Sequence, residues 1–432
     1  MKPPTRIAMV TEHGTPLALL GSEDAGGQNV YVDEVSRNLA ALGYAVDIFT
    51  RRDSLLAPEV VEWAPGVRVV HVAAGPPAAI PKDAIWPHMA EFTRGILAFM
   101  LHSGVRYDLL HGHFWMSGWS VARLSRQLRL PAVQIFHATG VTKRLHQGSA
   151  DTSPDERIAV EREVVARVDR VIAQCPAEHA ELVAEYGADP GRVTIIPSAV
   201  NIERFRPVPL AEARCYAGLP DDDLPTVVYV GRMLPRKDVR NVLHAAARLI
   251  HGRGVAMRLL LVGGEHGASG LSGDEIETLQ RLAGELGIAA QTVFSGKRQP
   301  DELRYYYCAG DVAVSTPWYE PYGLTPLEAM ACGRPIVVSA VGGLTFTVQD
   351  GVTGLHVPPR DPERLADALQ ALLADRARRE RMGRVSRARV EREFTWATTA
   401  RRTAALYEAT LAERATQAEA VAQARAVGNQ GD

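Results

Sequence analysis

The 432-residue sequence holds only four cysteines, Cys175, Cys215, Cys308 and Cys332, and no two of them form a C-x-x-C pair. That scarcity excludes a disulfide scaffold and argues against a zinc site, so a reducing cytoplasm is the expected setting. Long apolar runs are missing as well. Ile7 to Val10, which follow Lys2 and Arg6, are too few for the core of a signal peptide, and no stretch reaches the roughly 20 apolar residues of a membrane span. Neither sign of charge is in excess, the formal net charge being -2. Any anionic ligand must then be held by local groups, and a nucleic-acid binder is not indicated. A G-x-G-x-x-G fingerprint is also absent: neither Gly26-Gly27-Gln28 nor Gly263-Gly264-Glu265-His266-Gly267 matches it, which counts against an NAD-dependent oxidoreductase.

What is present is an ordinary globular composition, 46% apolar and 23% charged, over a length that calls for about two or three cores. Short apolar runs alternate with amphipathic segments, the pattern of parallel strands joined by crossover helices. Strands are predicted at Arg6 to Val10, Ala45 to Thr50, Val67 to Val72, Leu109 to His111, Ala132 to Phe136, Arg170 to Ala173 and Val193 to Ile196, with helices such as Gln28 to Leu42 between them. The polar, proline-bearing stretch Asn201 to Pro225 breaks the rhythm. It restarts with strands at Thr226 to Val230, Arg258 to Val262, Thr292 to Ser295, Val312 to Ser315, Pro335 to Ser339 and Gly354 to Val357.

Two doubly wound α/β domains are therefore expected, residues 1–200 and 201–395, their strand carboxyl ends facing each other across a ligand cleft. Residues 396–412 should form a helix that returns to the first domain, and the alanine-rich tail 413–432 should be disordered. The arginine-rich stretch Arg376 to Arg392 is interleaved with Glu380 and Glu391, which reads as a solvated helical face.

Three loops carry residues suited to chemistry. Glu320-Pro-Tyr-Gly-Leu-Thr-Pro-Leu-Glu328 follows a strand and opens a helix at about Leu324. Gly323 lets backbone approach a ligand closely, free N–H groups at the helix start suit a diphosphate, Glu320 can accept hydrogen bonds from sugar hydroxyls, and Glu328 can chelate a ribose diol. The plainer alternative is a helix whose N-terminus simply favours acidic residues. Arg232 and Lys237, in Gly231-Arg-Met-Leu-Pro-Arg-Lys237, can neutralise a leaving diphosphate, or be ordinary loop cations beside Arg236 and Asp238. Gly26-Gly27 can bring a backbone amide to a transferred group or to the acceptor, or serve packing alone.

In content and in order these motifs resemble the large retaining family of GT-B glycosyltransferases that includes D-inositol-3-phosphate glycosyltransferase, sucrose synthase and sucrose-phosphate synthase. The likeness runs through GGQNVYV, HGHFWMSG, FHATGVTKR, GRMLPRK, the acidic motif, ACGRPIVVSAVGG and DGVTGLHVPP. It implies a GT-B fold with the acceptor in the N-terminal domain and the nucleotide sugar in the C-terminal one. On the donor side it implies Arg232 and Lys237 at the diphosphate, Glu320 at the sugar with Tyr322, Gly323 and Leu324 beside it, Glu328 at the ribose, and the backbone of Arg298 at a uracil base. His137 and Gly27 would lie beside the reacting sugar, although a histidine at the end of a strand is by itself more often a core residue. The implied reaction uses no metal or other cofactor, since the departing diphosphate helps to deprotonate the incoming hydroxyl.

For the acceptor, Lys82 in AAGPPAAIPK matches a lysine that helps to bind a phosphate in the inositol-phosphate enzymes. Phe114 and Ala138 stand where those enzymes carry a tyrosine and a threonine. Each missing hydroxyl would remove a hydrogen bond of about 1.5–3 kcal/mol to a charged group. Lys143, Arg144 and Arg157 are candidates to replace them. The expected function is transfer of a hexosyl unit from a UDP-sugar, such as UDP-GlcNAc or UDP-glucose, to a small phosphorylated polyol or sugar. An unphosphorylated sugar acceptor, as in sucrose synthase, and a catalytically silent sugar-nucleotide-binding protein are the alternatives. The expected partners are these small molecules, with a homodimer allowed and neither nucleic acid nor an integral membrane segment.

Overall fold

A computed structural model describes residues 4–17, 26–264 and 272–428. The chain divides into two compact units, Met1–Pro197 with Trp396–Asp432, and Ser198–Thr395. The division falls within a few residues of the 200/201 boundary expected from the sequence.

The first unit holds an eight-stranded sheet. Its strands are β1 (Arg6–Val10), β2 (Ala45–Arg51), β3 (Val60–Ala64), β4 (Val67–Val72), β5 (Leu109–His113), β6 (Ala132–Ile135), β7 (Arg170–Ala173) and β8 (Val193–Ile195), in the order β3-β4-β2-β1-β5-β6-β7-β8. Every pair is parallel except β3–β4. Inner strands read as unbroken apolar runs because both faces are covered, and β2 is buried at every residue. β3 is the exception. Its sequence VVEWA is half-exposed along an antiparallel edge, with no continuous apolar run, and the sequence alone does not predict it.

The second unit is built on β9 (Thr226–Val230), β10 (Arg258–Val262), β11 (Thr292–Gly296), β12 (Val312–Ser315), β13 (Ile336–Ser339) and β14 (Gly354–Val357). These form one parallel sheet ordered β11-β10-β9-β12-β13-β14. In each sheet the order reverses about the first strand: β1 lies between β2 and β5, and β9 between β10 and β12. Loops leaving adjacent strands at such a point diverge to opposite faces, and the crevice between them is where these sheets take ligands. The loop after β9 carries Arg232 to Lys237, and the loop after β12 carries Glu320.

The last helix, Trp396–Gly428, belongs to the first unit. Trp396 sits edge-on to Tyr31 at 5.7 Å between ring centroids, the Thr399 hydroxyl donates to the Pro197 carbonyl at 2.8 Å, and Tyr407 is fully buried. The helix does not stop near residue 412. It runs through the stretch expected to be disordered, as far as Gly428; residues 429–432 lie outside the described residues. Alanine, glutamate, glutamine and arginine are strong helix formers, and ion pairs Arg170–Glu413 and Arg414–Asp169, the latter at 2.7 Å, fasten this part. The arginine-rich helix Arg376–Glu393 is more than a solvated face. Met382, Ser386 and Val390 are buried, Arg387 donates to the carbonyls of Phe205 and Ala331, and Arg389 to those of Thr347 and Phe346.

Candidate active site

In the second unit, β9 ends in Gly231 and a short 3₁₀ turn, Pro235–Lys237, closed by Asp238 at φ 53°. The Trp318 N–H donates to the Arg236 carbonyl at 2.9 Å, tying this loop to the one after β12. That tie brings cations onto Glu320: Lys237 Nζ donates to Glu320 Oε2, and Arg236 Nη1 lies 3.9 Å from the same oxygen. Burial alone would raise the pKa of Glu320, but Lys237 and Arg236 outweigh it and hold the carboxyl below its ordinary range, so Glu320 is a carboxylate. The Arg232 side chain is exposed on the same loop, and its carbonyl accepts from the Tyr229 hydroxyl at 3.0 Å.

Gly323, at φ 87°, precedes the helix Leu324–Ala331. A side chain there would be strained by the backbone and would strike Leu344, so glycine is required. Gly343 is bound by space: an added Cβ would lie 2.5 Å from Tyr322 Cα. The Gly343 N–H donates to the Glu320 carbonyl at 3.1 Å, so the paired glycines of SAVGG support the acidic motif from behind. Tyr322 turns away from the loop, its hydroxyl donating to the Ser198 carbonyl at 2.5 Å. One turn into the helix, Glu328 accepts from the Tyr307 hydroxyl at 2.7 Å, and burial raises its pKa. Arg298 is exposed and lies over Tyr306, 5.3 Å from the ring centroid.

In the first unit, Gly27 opens the helix Gly27–Ala41, with the Gly26 N–H donating to Asn29 Oδ1 at 3.0 Å. His137 lies just past β6 in the left-handed region, φ 60°. Its ring faces His113, at the end of β5, with Nε2 3.1 Å from His113 Nδ1, and Tyr31 meets it edge-on at 5.0 Å. Burial, reinforced by the neighbouring histidines, lowers the pKa of His137 to about 3 and that of His113 well below its ordinary value. Both rings are neutral at pH 7.

The residues expected at the acceptor also lie in this unit, two of them at Phe114. The ring of Phe114 has Lys82 Nζ 5.4 Å and Arg157 Cζ 5.0 Å from its centroid, both within cation–π reach. Phe114 itself takes φ 74° and ψ 163°, a region that side chains rarely enter, at a cost of about 1–3 kcal/mol. Lys143 Nζ contacts Asp151 at 2.9 Å and Ser153 Oγ at 2.8 Å, while Arg144 reaches Asp151 and Asp155 at 3.8 and 3.7 Å. Arg157 is fully buried: Nε donates to Glu161 at 2.8 Å, Nη1 to Ser153 at 3.1 Å and Nη2 to the Ala138 carbonyl at 2.6 Å. Carboxylates thus sit beside Lys143, Arg144 and Arg157.

Two domain families cover these halves, Glycosyltransferase Family 4 over residues 25–204 and Glycosyl transferases group 1 over residues 217–389. The chain is 38% identical over 421 residues to the D-inositol 3-phosphate glycosyltransferase of Acidothermus cellulolyticus, spanning 96% of this chain and 92% of that protein. It belongs to the GT-B glycosyltransferase family. The enzyme of the same name from Geodermatophilus obscurus is 39% identical over 415 residues, 95% of this chain and 91% of that protein. Among solved structures, the sucrose-phosphate synthase of Thermosynechococcus elongatus matches with a TM-score of 0.84 and 36% identity, over 95% of this chain and all of that one. An Anabaena protein solved with UDP and glucose shares the fold at 19% identity and a TM-score of 0.71, over 94% of this chain and all of that one.

As a GT-B glycosyltransferase the chain is an enzyme, and among its described residues no helix is long and apolar enough to cross a membrane. Arg236 and His113 are the residues that motif reading leaves out. Arg236 sits beside Lys237 in the quoted motif, but only the folded loop aims it at Glu320. His113 lies in HGHFW, and its contact with His137 joins positions 24 residues apart.

Proposed function

We propose that this glycosyltransferase moves a hexosyl unit, with retention of anomeric configuration, from a UDP-sugar such as UDP-GlcNAc or UDP-glucose to a hydroxyl of a small phosphorylated polyol or sugar. The observation that carries the reading is Glu320, an ionised carboxylate beside Lys237 and Arg236 at the ligand-taking ends of β9 and β12. The full-length likeness to D-inositol 3-phosphate glycosyltransferases supports the acceptor class. In this reading Arg232 and Lys237 hold the diphosphate and Glu320 accepts from sugar hydroxyls. The start of the helix at Tyr322, Gly323 and Leu324 adds backbone donors, Glu328 takes the ribose, and the backbone of Arg298 faces the base. His137 and Gly27 attend the transferred sugar. The sugar–diphosphate bond breaks as the acceptor oxygen attacks from the same face, and its proton passes to the departing diphosphate. Stabilising that leaving group is then the main catalytic effect.

The charge on the diphosphate is met in this scheme by arginine and lysine, so transfer is expected to survive EDTA. Loss of activity with EDTA, restored by Mg²⁺ or Mn²⁺, would assign that work to a metal. The defining experiment pairs a panel of nucleotide sugars with inositol phosphates, sugar phosphates and their unphosphorylated forms, and reads products by mass spectrometry and anomeric configuration by NMR. An inverted product overturns the retaining reading. One observation favours an unphosphorylated acceptor as the second reading: Asp151, Asp155 and Glu161 already neutralise Lys143, Arg144 and Arg157, and Phe114 and Ala138 offer no hydroxyl.

A further inference from the structure

The hydrogen bond between His113 and His137 decides which nitrogen of His137 carries a proton. The two rings are nearly parallel, 17° apart, and His113 Nδ1 faces His137 Nε2 at 3.1 Å. A neutral imidazole has one N–H and one bare lone pair, so one of the two facing nitrogens donates and the other accepts.

The far side of His113 settles the direction. Its Nε2 is buried and has no hydrogen-bond partner among the described residues. A proton on Nε2 would leave a buried N–H with nothing to donate to, the rarer and costlier defect; a proton on Nδ1 leaves only a bare lone pair there. His113 therefore donates from Nδ1, and His137 Nε2 accepts. The single proton of His137 then belongs on Nδ1, which makes no hydrogen bond among the described residues.

We infer that His113 is a positioning residue that fixes His137 in the Nδ1–H tautomer, so that His137 offers an N–H donor to a hydroxyl of the transferred sugar. This rests on the assignment of His137 to the reacting sugar. The ring is held from two sides, by His113 and by the edge of Tyr31. His111 packs against His113 with the rings tilted by 39° and 4.2 Å between centroids, and is itself anchored through Nδ1 to the Tyr407 hydroxyl at 2.6 Å. The HGH sequence of β5 thereby supplies a row of neutral imidazoles that ends at His137.

The test uses full-length protein labelled with ¹⁵N-histidine, its ring signals assigned with His113→Asn and His137→Gln. Two-bond ¹H–¹⁵N spectra should show the His137 Nε2 bare and its Nδ1 protonated. His113→Leu removes the donor and should lower kcat about tenfold, the equivalent of one lost hydrogen bond, while KM for both substrates changes less than about twofold. His113→Asn places an amide N–H where Nδ1 stood and should restore most of kcat. A His137 protonated at Nε2 in the unaltered protein overturns the inference, even if His113→Leu fails to fold. So does an unchanged kcat in a folded His113→Leu. Unchanged turnover in His137→Gln would remove the underlying assignment of His137, and the spectrum of the unaltered protein tells that failure from the first.

Discussion

Glu320 and Lys237 depend on each other in a way that a list of site residues hides. The glutamate is kept ionised against burial chiefly by this lysine and then by Arg236. Lys237→Ala should therefore do two things: lower turnover on the order of 10²-fold, as for other preorganised electrostatic contacts, and let the Glu320 pKa rise. The acid limb of the kcat profile should then move to higher pH. Arg232→Ala should match the loss of turnover without the pH shift, because Arg232 stands exposed and forms no ion pair with Glu320 among the described residues. Near-normal turnover in both variants would refute the diphosphate assignment. At the acceptor, Lys82→Ala should raise KM for a phosphorylated acceptor roughly tenfold, leave donor affinity unchanged and narrow the preference for phosphorylated over plain acceptors. Steady-state kinetics with matched acceptor pairs checks this, and an unchanged preference favours the unphosphorylated reading. Motif spacing singles out Arg232, Lys237, Glu320 and Glu328 as candidates in the sequence. It does not reveal that Lys143, Arg144 and Arg157 are neutralised. Arg157 and Glu161 are four apart on one helix, but that both would be buried and saturated depends on Ser153 and the Ala138 carbonyl meeting them in the fold.

Among the elements, the helix Pro176–Tyr186 carries a carboxyl with an unusual titration. Glu178 accepts from the Gln174 N–H at 2.7 Å, and its other oxygen is buried with no partner among the described residues. Burial, opposed by that hydrogen bond and aided by Glu181, raises its pKa from 4.5 to about 7. Because the folded value lies above the unfolded one, the stabilising contribution is complete below about pH 4.5, falls as pH rises to about 7 and is level beyond, a change on the order of 3 kcal/mol. Glu178→Gln should remove that slope. Urea unfolding of both proteins at pH 4.5 and 8 gives the comparison, and parallel pH dependences would show that Glu178 titrates normally. Thirteen of the strands could be read from apolar runs, since inner parallel strands are apolar on both faces. β3 could not, because an edge strand owes its place to its antiparallel partner β4. The helical tail was missed for the opposite reason: its composition is polar enough to suggest disorder, yet it is rich in alanine, glutamate, glutamine and arginine, which favour a helix.

For the whole molecule, the first unit is discontinuous in sequence, closed by the chain's own last helix. Tyr407→Ala removes a fully buried ring and should cost about 3–5 kcal/mol, measured by chemical unfolding. Ending the chain after Glu413 or Arg414 disturbs only exposed ion pairs or less, and should change stability by under about 1 kcal/mol. A large loss from that truncation would give the tail a structural role. The two-unit plan and the return of the chain were legible because the alternation of strands and helices restarts after Pro225 and a helix follows Trp396.

That discontinuity also orders events while the protein is being made. About 210 residues separate Pro197 from Tyr407, so at roughly 5–20 residues per second the ribosome needs about 10–40 s to deliver the closing helix after the eight-stranded sheet is complete. Throughout that interval Tyr31 lacks Trp396, His111 lacks its tyrosine hydroxyl, and the surface that the helix will cover lies open. The second unit, an uninterrupted stretch of chain, is translated in full during the same wait. The nascent first unit is thus the later of the two to reach its finished form, although it is synthesised first.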